Sequence, residues 1–306
     1  MSIGNTLPNV PESSANPATQ LIDFDALWDF DRPDESERRF REVLESAPDD
    51  ASYRAELLTQ IARSQGLQRK FDEAHITLDQ IEVMLMDDLA RARVRYLLER
   101  GRAFNSSRQP NRAVPLFRQA FDQALATHED YLAIDAAHML GIADEPDRAM
   151  AWNLKALELA EATSDARSKK WLGSLYNNIG WAYFDRHEYE RALDCFEKAL
   201  KERELRGSAA DVRIAKWCVA KALRLLERVD EALKMQLELS AEFERIGGKD
   251  GYVHEELAEC LWQLNRCEEA RPHFTAAHRL LSQDPWLVEN EPARLERLRQ
   301  SGEQAC

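Results

Sequence analysis

The sequence predicts an all-α protein built from repeated helix pairs. Pairs of small residues twelve positions apart recur along the chain, and large apolar residues recur around them with the spacing of a helical face. Only 11 glycines and 11 prolines interrupt the 306 residues, and few of them fall inside the predicted helices. No stretch shows the sustained alternation of apolar and polar residues that a half-buried strand would need. We therefore expect helix throughout and essentially no sheet.

The clearest pair of helices is predicted within residues 176–199. Gly180 and Ala192 lie on two consecutive predicted helices, where their small side chains let the helices approach closely. Residues at helical spacing share the face of each small residue: Tyr176, Ile179 and Tyr183 on the first helix, Phe196 and Ala199 on the second. The polar stretch 185–188 between the two helices predicts a tight turn.

The same spacing predicts five further pairs and an atypical N-terminal one. The further pairs are Ala62 and Ala74, Gly101 and Ala113, Ala137 and Ala149, Ala220 and Ala232, and Ala258 and Ala270. Ser36 and Phe40 fit the second helix of the N-terminal pair, whereas Phe24 stands where its first helix should carry a small residue. Asn153 and Gln236 stand where a large apolar residue is expected, so we expect a less regular core in their two pairs.

The pattern resembles the tetratricopeptide repeat, whose signature is W-x2-L-G-x2-Y followed by A-x3-F. The best match reads Tyr176-x2-Ile179-Gly180-x2-Tyr183 and then Ala192-x3-Phe196. The resemblance implies a right-handed α-solenoid of about seven helix pairs over residues 21–283, closed by a C-terminal capping helix within residues 284–306. Residues 1–20, with several prolines, serines and asparagines, are predicted to be a disordered tail.

The length of the repeat leaves one structural alternative open. Successive second-helix anchors lie 36–43 residues apart, whereas the tetratricopeptide period is about 34. The excess predicts longer helices or longer loops, and residues 163–168 lie in the widest gap. HEAT-type repeats have periods near 40 and are the alternative. They do not, however, call for the small-residue spacing found here.

Composition argues against several classes of partner. The formal net charge is −14, whereas nucleic-acid binders usually carry a basic patch or stripe. The same charge disfavours anionic membranes, and no apolar run approaches the ~20 residues of a membrane-spanning helix. The first 20 residues lack the basic and apolar regions of a signal peptide. We therefore expect a cytoplasmic protein without a nucleic-acid or membrane partner.

Motifs for metal binding or catalysis are incomplete. Five residues within 25 positions carry metal-ligand side chains: His254, Cys260, Cys267, His273 and His278. Their spacing does not match the short paired spacings of zinc sites. The stretch beginning His254-Glu255 has Ala258 where a zinc protease motif needs its second histidine. A phosphate-binding loop and a G-x-S-x-G motif are also missing, so we predict no metal, no cofactor and no enzyme activity.

The resemblance also implies a binding surface, because the first helices of such repeats line a concave inner groove. The residues predicted to line a peptide-binding groove are Arg102, Asn105, Asn177, Asn178, Trp181, Phe184, Trp217, Lys221, Arg224 and Trp262. Aromatic and arginine side chains are enriched at binding hot spots, and asparagine can both donate to and accept from a peptide backbone. The alternative for the tryptophans is that they pack between neighbouring repeats.

The function implied by the resemblance is non-catalytic recognition of a protein or peptide. The chain would act as a scaffold or adaptor that binds its partner in the concave groove. Arg102, Lys221 and Arg224 would then contact acidic groups, Trp181 and Trp217 would supply apolar platforms, and the asparagines would hold the peptide backbone. A peptide-sensing regulator of the helical-repeat type is one alternative function. An accessory subunit of an enzyme is another.

Overall fold

A computed structural model describes residues 23–85 and 89–303, and within these ranges it contains α-helices, two short 3-10 helices and no strand. This confirms the predicted all-α class, while the predicted N-terminal tail lies outside the described residues. The α-helices are α1 (Pro33–Glu45), α2 (Ala51–Leu67), α3 (Phe71–Met84), α4 (Ala90–Ser106), α5 (Pro110–Ala126), α6 (Asp130–Ala143), α7 (Pro146–Ala162), α8 (Leu172–Phe184), α9 (Tyr189–Arg206), α10 (Ala209–Leu225), α11 (Val229–Arg245), α12 (Gly251–Gln263), α13 (Cys267–Leu281), α14 (Pro285–Asn290) and α15 (Pro292–Glu303). None of these described helices is long and apolar enough to cross a bilayer.

The chain divides into two compact units, Met1–Ser107 and Arg108–Cys306. The first unit holds α1 to α4, and the second holds α5 to α15. Five of the predicted small-residue pairs fall on consecutive helices of one unit: α2 and α3, α6 and α7, α8 and α9, α10 and α11, and α12 and α13. Gly101 and Ala113 fall on α4 and α5, which belong to different units. The helix-pair organisation is therefore observed within each unit.

The turn between the two helices of a pair has a recurring backbone conformation. A non-glycine residue with φ of 59–63° stands seven positions after the small residue of the first helix: Arg69, Arg108, His187, Glu227 and Asn265. A left-handed residue at this place commonly ends a helix, because the next N–H can then reach back to a carbonyl of the last turn. In the predicted turn 185–188, the Glu188 N–H donates to the Tyr183 carbonyl at 3.0 Å. The predicted polar turn is thus confirmed.

The first unit begins with the atypical pair. Its second helix is α1, as Ser36 and Phe40 predicted, while its first helix is reduced to the 3-10 turn Phe24–Leu27. Ser36 is fully buried, and its hydroxyl is satisfied because it donates to the Asp29 carbonyl at 3.0 Å and accepts from the Asp29 N–H at 2.7 Å. Phe40 packs against apolar residues of α2 in a small core. The hydrogen bonds of Ser36 therefore hold the preceding loop against α1, and the buried Phe40 ring holds α1 against α2.

The second unit has a continuous apolar core that runs from α8 to α15. Gly180 on α8 lies against the Phe196 ring on α9, so that a Cβ atom at residue 180 would stand 2.5 Å from a ring carbon. Phe196 and Ala192 are both fully buried. Only hydrogen fits at position 180, and this close approach is the contact that the sequence pattern predicted.

Two helices close the C-terminal end of this core. The predicted terminal helix is α15, whose Leu295 and Leu298 are buried. Gly302 lets α15 approach α13, since a Cβ atom there would stand 2.6 Å from the Thr275 hydroxyl oxygen. The capping helix therefore packs onto the last repeat in the way that α8 packs onto α9, with a glycine at the point of close contact.

Replacement of Gly180 by alanine should destabilise the protein by about 1–3 kcal/mol, because the added methyl group must displace the Phe196 ring. Urea unfolding followed by circular dichroism measures this free energy. Gly66→Ala is the control, because no atom lies within 4 Å of a Cβ at that α2 position. Alanine is also the better helix former, so Gly66→Ala should leave stability unchanged or slightly raised. Equal effects of the two substitutions would contradict the close-approach assignment.

The two irregular positions found in the sequence are irregular in the structure. Gln236 on α11 is fully buried, and neither of its side-chain amide atoms has a hydrogen-bond partner among the described residues. Asn153 on α7 is also buried, with an unpaired amide oxygen. Its partner helix accommodates it through Gly141, where a Cβ atom would stand 2.4 Å from the Asn153 amide oxygen. These polar groups weaken the core at two of the repeats.

Gln236→Met should stabilise the second unit by about 1–3 kcal/mol, because methionine has a similar shape and removes an unpaired buried amide. Chemical unfolding of the purified chain measures the change. The matched control is Gln119→Met on α5, where the glutamine is exposed and the substitution should have little effect. A loss of stability in Gln236→Met would mean that the buried amide is satisfied in solution.

Candidate functional site

The residues predicted to line a groove fall in both units. Eight of the ten lie on first helices of the second unit: Asn177, Asn178, Trp181 and Phe184 on α8, Trp217, Lys221 and Arg224 on α10, and Trp262 on α12. Arg102 and Asn105 lie on α4 in the first unit. Arg102 donates to Glu99, one turn earlier on α4, at 2.6 Å. The second unit therefore carries most of the candidate surface.

An aromatic row crosses the first helices of the second unit. The ring centroids of Trp181 and Trp217 are 6.1 Å apart, and those of Trp217 and Tyr252 are 5.9 Å apart. The Trp217 indole N–H donates to the Tyr252 carbonyl at 3.1 Å, which holds its ring beside α12. Trp181 also contacts the buried Phe196 ring edge-on at 5.3 Å. The two tryptophans thus pack between repeats and are partly exposed, while their role in binding a peptide stays a prediction.

Phe184 and Trp262 belong more to the core than to this row. Phe184 lies 6.5 Å from Phe196, and Trp262 meets Phe274 edge-on at 6.1 Å, in each case measured between ring centroids. Both are partly buried against the apolar core of the second unit. Their contribution to a binding surface stays a prediction.

Two cations of α10, Lys221 and Arg224, are held by a buried carboxylate on α12. Glu256 has only 1% of its side chain exposed, and it accepts from the Arg224 guanidinium at 2.7 and 3.2 Å and from the Lys221 ammonium group. Burial alone would raise the pKa of Glu256. The charges and hydrogen bonds of Lys221 and Arg224 outweigh burial and hold that pKa below its ordinary value. The role of Glu256 could not be predicted from the sequence, because nothing local shows that it meets residues 32 and 35 positions away.

Glu256→Gln should lower stability at pH 7 by about 3–5 kcal/mol, because two largely buried cations lose their counter-charge. In the wild type, the lowered pKa means that the stabilisation is complete above about pH 4.5 and is lost as the pH falls below it. The variant should therefore show a weaker acid dependence. Urea unfolding between pH 3 and 7 measures both effects, with the exposed Glu190→Gln of α9 as control. An unchanged acid dependence in Glu256→Gln would contradict this assignment.

The two asparagines of α8 contact first helices on opposite sides. The amide oxygen of Asn177 accepts from the Cys218 thiol of α10 at 3.6 Å. The amide nitrogen of Asn178 lies 3.4 Å from Nδ1 of His138 on α6. Each contact links neighbouring repeats. The predicted role of both residues in holding a peptide backbone stays a prediction.

A pocket of about 390 Å³ lies between α10, α11 and the start of α12. It is lined by Ala210, Arg213, Ile214, Trp217, Phe243, Asp250, Tyr252 and Val253. We call it the apolar pocket, because six of these eight residues are apolar or aromatic. Ile214 is 53% exposed, although isoleucine is a residue type usually found inside proteins. Of the predicted groove residues only Trp217 lines this pocket.

A signal for part of the missed pocket was present in the sequence. Ile214 lies three positions before Trp217, so the two share a helical face and one could have been inferred from the other. Phe243 gave no such signal, because it lies on α11 and reaches the pocket only through the packing of that helix. The Arg213 guanidinium lies over the Phe243 ring, 5.3 Å from its centroid, and adds a cation to the rim.

The histidines and cysteines considered as metal ligands are mostly separate from this surface. His254 and His273 meet across α12 and α13 with their Nδ1 atoms 2.9 Å apart, and burial lowers the pKa of both. Cys260 is fully buried, and burial raises the pKa of its thiol to about 12. Within residues 23–85 and 89–303, no group of three or more His, Cys, Asp or Glu side chains is arranged to hold a metal ion.

Comparison with known proteins supports the repeat assignment. The sequence model of the tetratricopeptide repeat matches residues 174–204, which cover most of α8 and α9. The chain is similar in structure to the apo form of RapI, with a TM-score of 0.68, 12% identity, and coverage of 90% of this chain and 77% of that one. The chain is also similar in structure to the apo form of the quorum sensor NprR from B. thuringiensis. The TM-score is 0.61, the identity is 18%, and the match covers 90% of this chain and 78% of that one.

A third similar structure is BtubC from P. vanneervenii, with a TM-score of 0.57, 14% identity, and coverage of 74% of this chain and 93% of that one. A search of curated proteins with this sequence finds no match. At these identities the similarity concerns the fold. The similarity therefore supports the helical-repeat fold, and the tetratricopeptide repeat that the sequence predicted is confirmed at residues 174–204.

Proposed function

We propose that this chain, which carries a tetratricopeptide repeat at residues 174–204, is a non-catalytic scaffold or adaptor that binds a segment of a protein or peptide. The observation that carries the proposal is the apolar pocket beside the aromatic row. Its volume of about 390 Å³ falls within the range of about 300–1,000 Å³ that is usual for ligand sites. Ile214 and Tyr252 are exposed in its wall, so a large apolar side chain of a partner would remove apolar surface from water.

The aromatic row supplies the second part of the proposed contact surface. Trp181 packs against the buried Phe196 ring, and Trp217 donates to the Tyr252 carbonyl. A ligand would therefore meet rings that are already ordered. Preorganised aromatic groups lose little conformational entropy on binding. We assign Lys221 and Arg224 mainly to support of this surface, because both already pair with Glu256. Recruiting them to a ligand would leave that buried carboxylate unpaired.

Ile214→Glu should weaken peptide binding about 30-fold or more, which corresponds to loss of an anchor worth about 2 kcal/mol. A phage-displayed peptide library selected on the full chain would supply ligands, and fluorescence anisotropy of the enriched peptides would measure their affinity. Leu237→Glu is the matched control, because this apolar residue of α11 is similarly exposed, at 51% against 53%, but lies outside the pocket. Equal affinities for both variants and the wild type would refute binding at the apolar pocket.

A sensor is the second candidate function, and the similarity to the quorum sensor NprR over 90% of this chain favours it. A sensor must change conformation when its ligand binds, whereas an adaptor need only hold its partner. Hydrogen exchange with and without an enriched peptide separates the two. Protection confined to α10–α12 would support the adaptor, and changes extending to α6 and α7 would support the sensor. In either case the cytoplasmic location and the absence of a cofactor remain predictions.

A further inference from the structure

A second pocket occupies the equivalent place one repeat upstream of the apolar pocket. Its volume is about 140 Å³, and it lies between the start of α8, the end of α9 and the start of α10. Four pairs of residues at equivalent repeat positions line the two pockets: Lys170 and Ala210, Gly173 and Arg213, Ser174 and Ile214, and Arg203 and Phe243. Apart from Arg213, the downstream site is therefore apolar at these positions, while the upstream site carries two cations and a hydroxyl group.

The upstream pocket, which we call the basic pocket, is net positive in a chain whose formal charge is −14. Its charged lining consists of Lys169, Lys170, Arg203 and Arg206 against Glu202 and Asp211. Arg206 pairs with Glu202, while the Asp211 carboxylate accepts from the backbone N–H and hydroxyl of Ser208 at the start of α10. Within the described residues no ion pair joins Lys169 or Lys170 to a carboxylate.

Arg203 is oriented by a backbone carbonyl and lies near one carboxylate, since hydrogen bonds from Ser208 and the charge of Arg203 lower the pKa of Asp211. Its guanidinium donates to the backbone carbonyl of Asp211 at 3.3 Å, which is a neutral acceptor. Its side chain also lies against Gly173, where a Cβ atom would stand 3.1 Å from the Arg203 Cγ atom. The pocket therefore presents one positioned guanidinium and two lysines that lack an internal counter-ion.

The first turns of α10 lie between the two pockets and contribute to the lining of both. Ala210, Arg213 and Ile214 face the apolar pocket, and Asp211 faces the basic one. A helix with its side chains is about 10–12 Å wide. An extended peptide rises about 3.3 Å per residue, so it would cross this distance in about three residues.

The equivalent places in the flanking repeats are occupied by the chain itself. In the upstream repeat, Tyr131 holds the position that Ile214 holds on α10. The Tyr131 ring is covered by the Arg167 guanidinium, which lies 4.1 Å from the ring centroid, and by Trp171. Downstream, Leu281 stands where α11 has Phe243, and it closes against Gly251, where a Cβ atom would lie 2.8 Å away. The apolar and basic pockets thus form one adjacent pair bounded on both sides.

We infer that the ligand of this surface is an acidic peptide segment, with a large apolar side chain in the apolar pocket and an aspartate or glutamate side chain in the basic pocket, about three residues away. The inference rests on the proposed function and adds to it the charge and the spacing of the ligand. Charge complementarity selects the anion, because Lys169 and Lys170 would gain a counter-charge that the chain itself does not supply.

The test uses synthetic decapeptides of glycine and serine that carry one tryptophan and one aspartate, separated by zero to five residues. Both peptide ends are blocked, so that the aspartate is the sole charge. Affinities for the full chain are measured by fluorescence anisotropy at 0.15 M salt, where exposed charges beyond about 8 Å are largely screened. We expect the tightest binding when the two residues are about three apart, and at least 10-fold weaker binding when aspartate is replaced by asparagine.

Charge reversal provides the decisive comparison. Lys170→Glu should reverse the preference, so that a lysine peptide binds this variant better than the aspartate peptide does. Lys234→Glu, an exposed lysine of α11 outside both pockets, makes the same change in net charge and should leave the preference intact. Equal behaviour of the two variants would overturn the basic pocket as the anion site.

Two further outcomes distinguish this inference from the function on which it rests. Tryptophan peptides that need Ile214 but ignore the aspartate would overturn the inference and leave the proposed function standing. Failure of every peptide to bind, or binding that Ile214→Glu does not weaken, would overturn both. Binding that requires a free C-terminal carboxylate in place of the aspartate would overturn the assignment to an acidic side chain.

Discussion

The close approach of the two helices within a pair is the constraint on which the second unit depends. Hydrogen at Gly180 admits the Phe196 ring, and the second helices carry fully buried alanines such as Ala192 and Ala270. Once that face of each first helix is used for the contact, its other faces must meet the neighbouring repeats or solvent. The left-handed residue of the following turn, such as Glu227, then reverses the chain within a few residues. Close packing inside each pair therefore decides which side chains are left for recognition.

Electrostatic pairing links successive first helices and the cap. Glu255 and Glu256 are consecutive on α12, and a helix turns about 100° per residue, so their side chains reach different neighbours. Glu256 meets Arg224 on α10, whereas Glu255 accepts from Arg297 on α15 at 3.0 Å and also from Arg294. Two acids thus connect three helices. Removal of one partner from such a buried pair is costly, because it leaves an uncompensated charge between the helices.

The repeat turns one backbone site into different chemical sites. Arg203 and Phe243 hold the same place in consecutive second helices, and exchange of such residues converts an apolar wall into a cationic one without altering the helix framework. A first helix then borders two pockets at once, as α10 does. Ligand specificity in this arrangement comes from the order of residue types along the array. A segment that matches only one pocket gains only part of the available contact.

The amino-acid sequence by itself determined the all-α class, the positions of the helix pairs, the turn at residues 185–188 and the terminal helix. These features follow from local rules, since helical periodicity and the need for small residues at close contacts can be read within about 25 residues. Only the tertiary structure decided that Lys221 and Arg224 pair with Glu256, and that Ile214 and Phe243 share a pocket. The partners in these contacts lie about 30 residues or more apart on different helices. Their meeting depends on how consecutive repeats pack, and a helical pattern in the sequence does not specify that packing.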